Sequence, residues 1–150
     1  MSNFYTNNGA AFSSDNEEWE TPKKLFDELN AKYNFTLDPC SNGTNAKCGK
    51  FYTGTQNGLI MPWNGERVFC NPPYGRNINK WVEKAYKESE NCFVCMLIPA
   101  RTDTRYFHDY IYHKARIEFL RGRLKFEKNG IPQQSAPFPS MLVFMGEDNA

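Results

Sequence analysis

Two consecutive prolines directly behind a short apolar run set the strongest constraint on this chain. Val68-Phe69-Cys70 reads as a buried strand, with Arg67 at its start, and Asn71-Pro72-Pro73-Tyr74 ends it. Neither proline has an N–H to give to a sheet ladder, and both rings fix φ, so the strand stops there. A residue that precedes proline is pushed out of the α region, which keeps this loop extended. A helical pattern then opens near Ile78, with Trp81, Val82, Ala85 and Tyr86 on the same face. The next strand, Phe93 to Ile98, is apolar throughout and is stopped by Pro99. Apolar strands alternating with amphipathic helices predict an α/β sheet covered on both faces.

The flanking segments fit that layout. Thr21 is a natural N-cap and Pro22 suits the first helical position, ahead of Leu25, Phe26, Leu29 and Tyr33 on one face. Asn34 to Asp38 reads as a short strand that ends at Asp38-Pro39, and Cys40 to Gly58 reads as a loop rich in Gly, Asn, Thr and Ser. Asp103 or Thr104 can cap a helix bearing Phe107, Tyr110 and Ile111. Arg116 to Phe126 alternates around Gly122, as a hairpin or a bent strand does, and Met141 to Met145 is a last strand. In such sheets ligands bind beyond the carboxyl ends of the strands. The loops that start at Asp38-Pro39, Asn71-Pro72 and Pro99-Ala100-Arg101 should therefore converge on one edge.

With 150 residues, 40% of them hydrophobic, the chain is long enough for one compact domain, expected over 15–150. Residues 1–14 are polar and Asn-rich, and read as a flexible arm rather than a secretory signal. No apolar run reaches the ~18 residues of a membrane span. The five cysteines sit mostly beside apolar residues, as reduced core thiols of a cytoplasmic protein do. Cys92 and Cys95 form a C-x-x-C, but inside a strand they point to opposite faces, and a metal site is not expected. Net charge is +1, yet Arg105 to Lys128 carries seven basic and three acidic side chains, an excess able to touch phosphates or simply to solvate a face.

The Asn-Pro-Pro-Tyr loop has two readings. It can be an ordinary strand-to-helix turn. It can also grip a planar amine, because the Asn71 oxygen and the Pro72 carbonyl can both accept hydrogen bonds from one NH2 group, while Tyr74 offers a face for an extruded base. Trp19 and Trp63 could equally be core packing, and Asp38-Pro39 a turn start.

Taken in order, the landmarks Trp19-Glu-Thr-Pro22, Leu37-Asp38-Pro39, Asn45-Ala-Lys-Cys48, Asn57-Gly-Leu59 with Trp63, and Cys70-Asn-Pro-Pro-Tyr74 resemble a known family. Pro99-Ala-Arg-Thr-Asp103, Arg121-Gly-Arg-Leu-Lys-Phe126 and Pro139-Ser140-Met141 continue the match. The family is the phage-type, Dam-like DNA N6-adenine methyltransferases. The resemblance implies a single-domain, Rossmann-like S-adenosylmethionine-dependent methyltransferase fold, with a mostly parallel sheet and helices on both faces. It implies methyl transfer from S-adenosylmethionine to adenine N6 in DNA, in a bacterial host, as in viral protection from restriction. Asn71, Pro72, Pro73 and Tyr74 would be catalytic. Trp19, Thr21, Pro22, Asp38, Pro39, Asn57 and Asn71 would bind the cofactor, with Asn57 standing where many relatives carry Asp. The cofactor turn, Asp38 to Gly43, holds a single Gly, and no acidic residue is evident for the ribose. Arg101, Arg121, Arg123 and Lys125 would contact DNA. Only Arg116 to Ser140 could read sequence, so short or relaxed specificity is expected. Other acceptors for such a loop are RNA bases and protein glutamine, and a non-catalytic nucleic-acid-binding module could carry it too.

Overall fold

The computed structural model describes residues 19–147, and the arm expected at residues 1–14 lies outside them. Six strands form the central sheet: β1 (Leu37–Ser41), β2 (Lys50–Thr53), β3 (Arg67–Cys70), β4 (Phe93–Pro99), β5 (Arg116–Phe119) and β8 (Ser140–Met145). A small hairpin pairs β6 (Glu127–Lys128) with β7 (Ile131–Pro132). The order across the main sheet is β2-β1-β3-β4-β8-β5. Its first four strands are parallel, and β8 runs antiparallel to both β4 and β5. This is the α/β sheet that the alternation predicted.

Burial explains why the middle strands are apolar throughout. All seven residues of β4 are buried, as are all six of β8. On one face the helix α1 (Lys23–Tyr33) sets Phe26 edge-on against Phe69 of β3, with ring centroids 5.2 Å apart. The opposite face is covered by α2 (Ile78–Glu88), which buries Trp81, Val82 and Ala85, and by a single π-helical turn at Phe107–Ile111. Tyr110 of that turn donates to Glu83 of α2 at 3.1 Å. Thr104 accepts from the Phe107 N–H at 3.3 Å, so it is the capping residue at this turn.

Three boundaries differ from expectation, each for a physical reason. β1 begins at Leu37 and continues through Pro39 to Ser41 rather than ending at Asp38. Pro39 has no N–H, so the β1–β2 register shifts there, and Asp38 Oδ1 accepts from the Cys40 N–H at 3.1 Å instead. The segment read as loop contains β2, a short edge strand whose Lys50-Phe-Tyr-Thr53 pattern was masked by the polar residues around it. Beyond β5 there is no main-chain hairpin at Gly122. The chain bends there, with Gly122 at φ +76°, and crosses the carboxyl edge toward β6.

The cysteines are free, and Cys70, Cys92 and Cys95 are buried. Among the described residues no group of three His, Cys, Asp or Glu side chains is placed to hold a metal, and no helix is long and apolar enough to cross a membrane. Burial raises the Cys48 and Cys92 thiols to about 12 and pushes Cys40 and Cys95 up as well. Thiolate is the reactive form. Labelling by a thiol reagent at pH 8 should therefore run on the order of tenfold or more slower in the native protein than in denaturant. Equal rates in the two states would show that the thiols are not shielded as described.

Candidate active site

The sheet reverses its order between β1 and β3, since the chain moves from β1 outward to β2 and then returns to start β3 on the other side. Ligand crevices form at such switch points. Here the two strands register only at Leu37↔Val68, and beyond that pair they part. A cavity of about 270 Å³ occupies the split at their carboxyl ends. Its wall includes Trp19, Thr21, Asp38, Pro39, Asn57, Asn71, Pro72 and Pro73, which brings eight of the expected residues to one site.

Asn71 is the centre of this geometry. Its Nδ2 donates to the Trp19 carbonyl and, at 2.9 Å, to Thr21 Oγ1. Its Oδ1 is buried and accepts no hydrogen bond from any described residue. Leaving a buried acceptor unpaired costs about 1–3 kcal/mol, a penalty that a donor from a bound molecule would remove.

Asp38 is buried at the floor of the cavity. Its second oxygen, Oδ2, accepts from the Lys47 N–H at 3.0 Å, which folds residues 42–47 back over the site. The turn has one Gly where a Gly-rich loop was expected, and side chains take over its work. Asn42 Oδ1 accepts from the N–H groups of Thr44 and Asn45, and Asn45 Oδ1 accepts from the N–H of Asn42 and the hydroxyl of Ser41. Opposite, Asn57 has φ +59° and its Oδ1 accepts from the Leu59 N–H at 3.1 Å. Gly58 follows because nothing larger fits: a Cβ there would lie 2.2 Å from the Pro39 carbonyl oxygen. Its own carbonyl accepts from the buried Trp63 indole at 3.0 Å.

Other expected residues stand elsewhere. Thr21 does not cap α1. Its hydroxyl serves Asn71, and the Lys23 N–H at the helix start is taken by Glu127 Oε2 at 3.1 Å. Pro22 is the residue before the helix rather than the first within it, and it does not line the cavity. Tyr74 is turned inward rather than presenting a stacking face. Its hydroxyl donates to the Leu97 carbonyl at 2.8 Å, and its ring stands edge-on to Phe126 and Phe138. An aromatic ring gains more from that burial than from solvent, provided its hydroxyl is satisfied. Trp19 joins the same cluster, 5.5 Å from Phe126 and 5.2 Å from Phe138.

Arg101, Arg121, Arg123 and Lys125 are all exposed. Arg101 leaves the end of β4 on the same edge as Asn71. The other three alternate with Leu124 and Phe126, which point inward, along a segment pinned at Leu120–Ser140 and at Glu127–Glu20. Arg116 is occupied differently: it pairs with Glu118 and Glu147 and lies 3.9 Å over the Phe144 ring. Two residues of the site carry no sequence signal of their role: Lys47, the one basic residue of the cavity wall among the described residues, and Gly58. Both lie in landmarks of the sequence, Asn45-Ala-Lys-Cys48 and Asn57-Gly-Leu59, but neither role is legible without the fold.

Sheet order, the reversed strand β8 and the loop at the switch point define an α/β methyltransferase fold. In keeping with this, a crystal structure from Pyrococcus horikoshii, provisionally named an RNA methyltransferase, superposes with a TM-score of 0.56 over 93% of this chain and 90% of the other, at 16% identity. At that identity the likeness speaks for the fold alone. The chain belongs to the DNA N-6-adenine-methyltransferase (Dam) family, whose model matches residues 9–149. It is 31% identical over 115 residues, 75% of its length, to the DNA N-6-adenine-methyltransferase of Escherichia phage T1. It spans only about half of that relative, 48% of its length. A protein of Escherichia coli K12 named as a methyltransferase, YfdM, is 38% identical over 66 residues, 39% of this chain and 71% of that one.

Two outcomes test the geometry itself. Gly58→Ala forces a backbone clash of the kind that costs about 1–3 kcal/mol, so Tm should fall by several degrees in a melting experiment; an unchanged Tm would contradict the packing. Burial also raises the Asp38 carboxyl above its ordinary 3.8, against the two N–H bonds that lower it. The folded state then holds this proton more tightly than the unfolded chain. Asp38's contribution to stability is thus fully present below 3.8 and is lost as pH rises through the folded value. A carboxyl carbon titration by NMR should place the Asp38 midpoint above 3.8, and a midpoint below it would show that the N–H bonds outweigh burial.

Proposed function

We propose that this chain transfers a methyl group from S-adenosylmethionine to the exocyclic N6 amine of adenine in DNA. The observation that carries the reading is the unpaired, buried Oδ1 of Asn71, a residue that lines the switch-point cavity. Family membership supports the target atom, and the methyltransferase fold supports the methyl donor.

The residues present suit that donor. Apolar faces of Trp19, Pro39 and Trp81 alternate with polar groups around the cavity. Asp38 can meet an α-ammonium, and Lys47, the basic group in the cavity wall, can meet an α-carboxylate. S-adenosylmethionine bound here would supply a methyl on a sulfonium, electrophilic enough for direct displacement. The adenine amine is a poor nucleophile because its lone pair is delocalised into the ring. Asn71 Oδ1 and the Pro72 carbonyl accept its two hydrogens, which favours a pyramidal nitrogen with its lone pair free. Direct displacement would then exchange the sulfur–methyl bond of the donor for a nitrogen–methyl bond, and the amine would release one proton to water. No strong base is required, and positioning carries the acceleration. Pro73 keeps the loop rigid, and Tyr74 anchors it to β4 through Leu97. Arg101, Arg121, Arg123 and Lys125 supply the phosphate contacts, and DNA of a phage or prophage in the bacterial cytoplasm is the proposed substrate.

Radiolabelled S-adenosylmethionine with unmethylated DNA, RNA and protein acceptors in parallel tests this directly. Label should be recovered as N6-methyladenine from DNA, while label only in RNA or protein would reassign the substrate. Asn71→Ala should lower turnover by on the order of 10²–10³-fold with methyl-donor binding retained.

A further inference from the structure

We infer that Thr21 is a positioning residue, whose hydroxyl holds the Asn71 amide with its oxygen turned toward the reacting amine. The inference rests on the methyltransferase reading above and names what keeps its central acceptor in place.

An asparagine amide is nearly symmetric in shape, and its oxygen and NH2 can exchange places by a half-turn. The two orientations are chemical opposites here. With Oδ1 toward the cavity, Asn71 accepts a hydrogen from the substrate amine. With Nδ2 there, two N–H donors would face an NH2 group, and the amine would lose its acceptor. Something on the far side of the amide must choose between them.

Two groups stand there. The Trp19 carbonyl can only accept, so it pairs with Nδ2 and never with Oδ1. Thr21 Oγ1, 2.9 Å from the same nitrogen, accepts the second hydrogen. Both amide hydrogens are thereby taken, and Oδ1 is left unpaired and buried. Thr21 is itself buried, 2% exposed, so water has little access to replace its hydroxyl.

The backbone holds Thr21 on both sides. Glu20 forms an antiparallel bridge with Glu127, whose N–H donates to the Glu20 carbonyl at 2.9 Å. Two residues on, the Lys23 N–H donates to the Glu127 carboxylate at 3.1 Å. The strap that presents Thr21 is therefore fastened at both ends to one residue of β6.

A direct cofactor contact and a positioning role predict different results. Asn71 side-chain NH2 exchange in the free protein, followed by NMR, reads the orientation without any activity. Thr21→Val should speed that exchange on the order of tenfold or more, because one of its two acceptors is gone. In steady-state kinetics Thr21→Val should lower kcat by about 10–100-fold, as loss of an orienting partner does elsewhere, with KM for S-adenosylmethionine changed less than about threefold. Thr21→Ser keeps the hydroxyl and should restore both readouts. Thr21→Ala serves in the same assays if the valine variant does not fold. A raised KM with kcat intact would make Thr21 a cofactor contact and overturn the inference, as would unchanged exchange and unchanged kcat. If the wild-type chain transfers no methyl group, the functional reading fails, while the exchange measurement still decides the orientation.

Discussion

The pairing of β3 with β4 positions everything chemical in this molecule. Four successive parallel pairs, Arg67↔Phe93 to Cys70↔Met96, carry the chain to the carboxyl edge, and Asn71 is the first residue past the last pair. β4 is buried on both faces and is gripped on its other side by six antiparallel pairs with β8. Paired on both sides, the strand is held in register with β3. The bond from Tyr74 to Leu97 extends the same registration into the loop.

The cavity depends on the opposite property in the neighbouring pair. β1 and β3 register at a single position, and Pro39 cannot donate to a ladder. The strands part, and the gap is lined rather than filled. Gly58 can approach Pro39 because it lacks a Cβ, and Trp63 secures it from behind. The rigid pair thus fixes Asn71, and the loose pair leaves a cavity beside it. The segment from Leu120 to Ser140 ties these parts together. It crosses the carboxyl edge with its basic residues outward, adds Phe126 and Phe138 to the aromatic cluster, and fastens the Trp19–Thr21 strap through Glu127. One segment thereby joins the candidate DNA surface to the groups around Asn71.

The central strands and α2 were legible because their signals are local. β3 and α2 begin where the pattern placed them, and β4 and β8 lie within a residue of expectation. α1 was recognisable from Phe26 and Leu29, although its cap was misassigned, since Thr21 followed by Pro22 looks like a local cap while the real partner is Glu127, more than a hundred residues on. β2 was missed because an edge strand of four residues lacks an apolar run. Tyr74 was misplaced for a similar reason: an aromatic after Pro-Pro gives no local sign of whether Phe126 and Phe138 will enclose it.

By itself, the amino-acid order determined where strands stop, which residues face the core, and that an asparagine and two prolines close a buried strand. Those are consequences of missing N–H groups, fixed φ angles and apolar spacing, which act within a few residues. The tertiary structure alone decided which way the Asn71 amide points, since its partners at Trp19 and Thr21 lie about fifty residues away in the chain. It also decided that Asp38 becomes a buried carboxyl and Gly58 an obligatory glycine. Hydrogen-bond direction, desolvation and close approach depend on what arrives from distant segments, and only the folded chain brings those segments together.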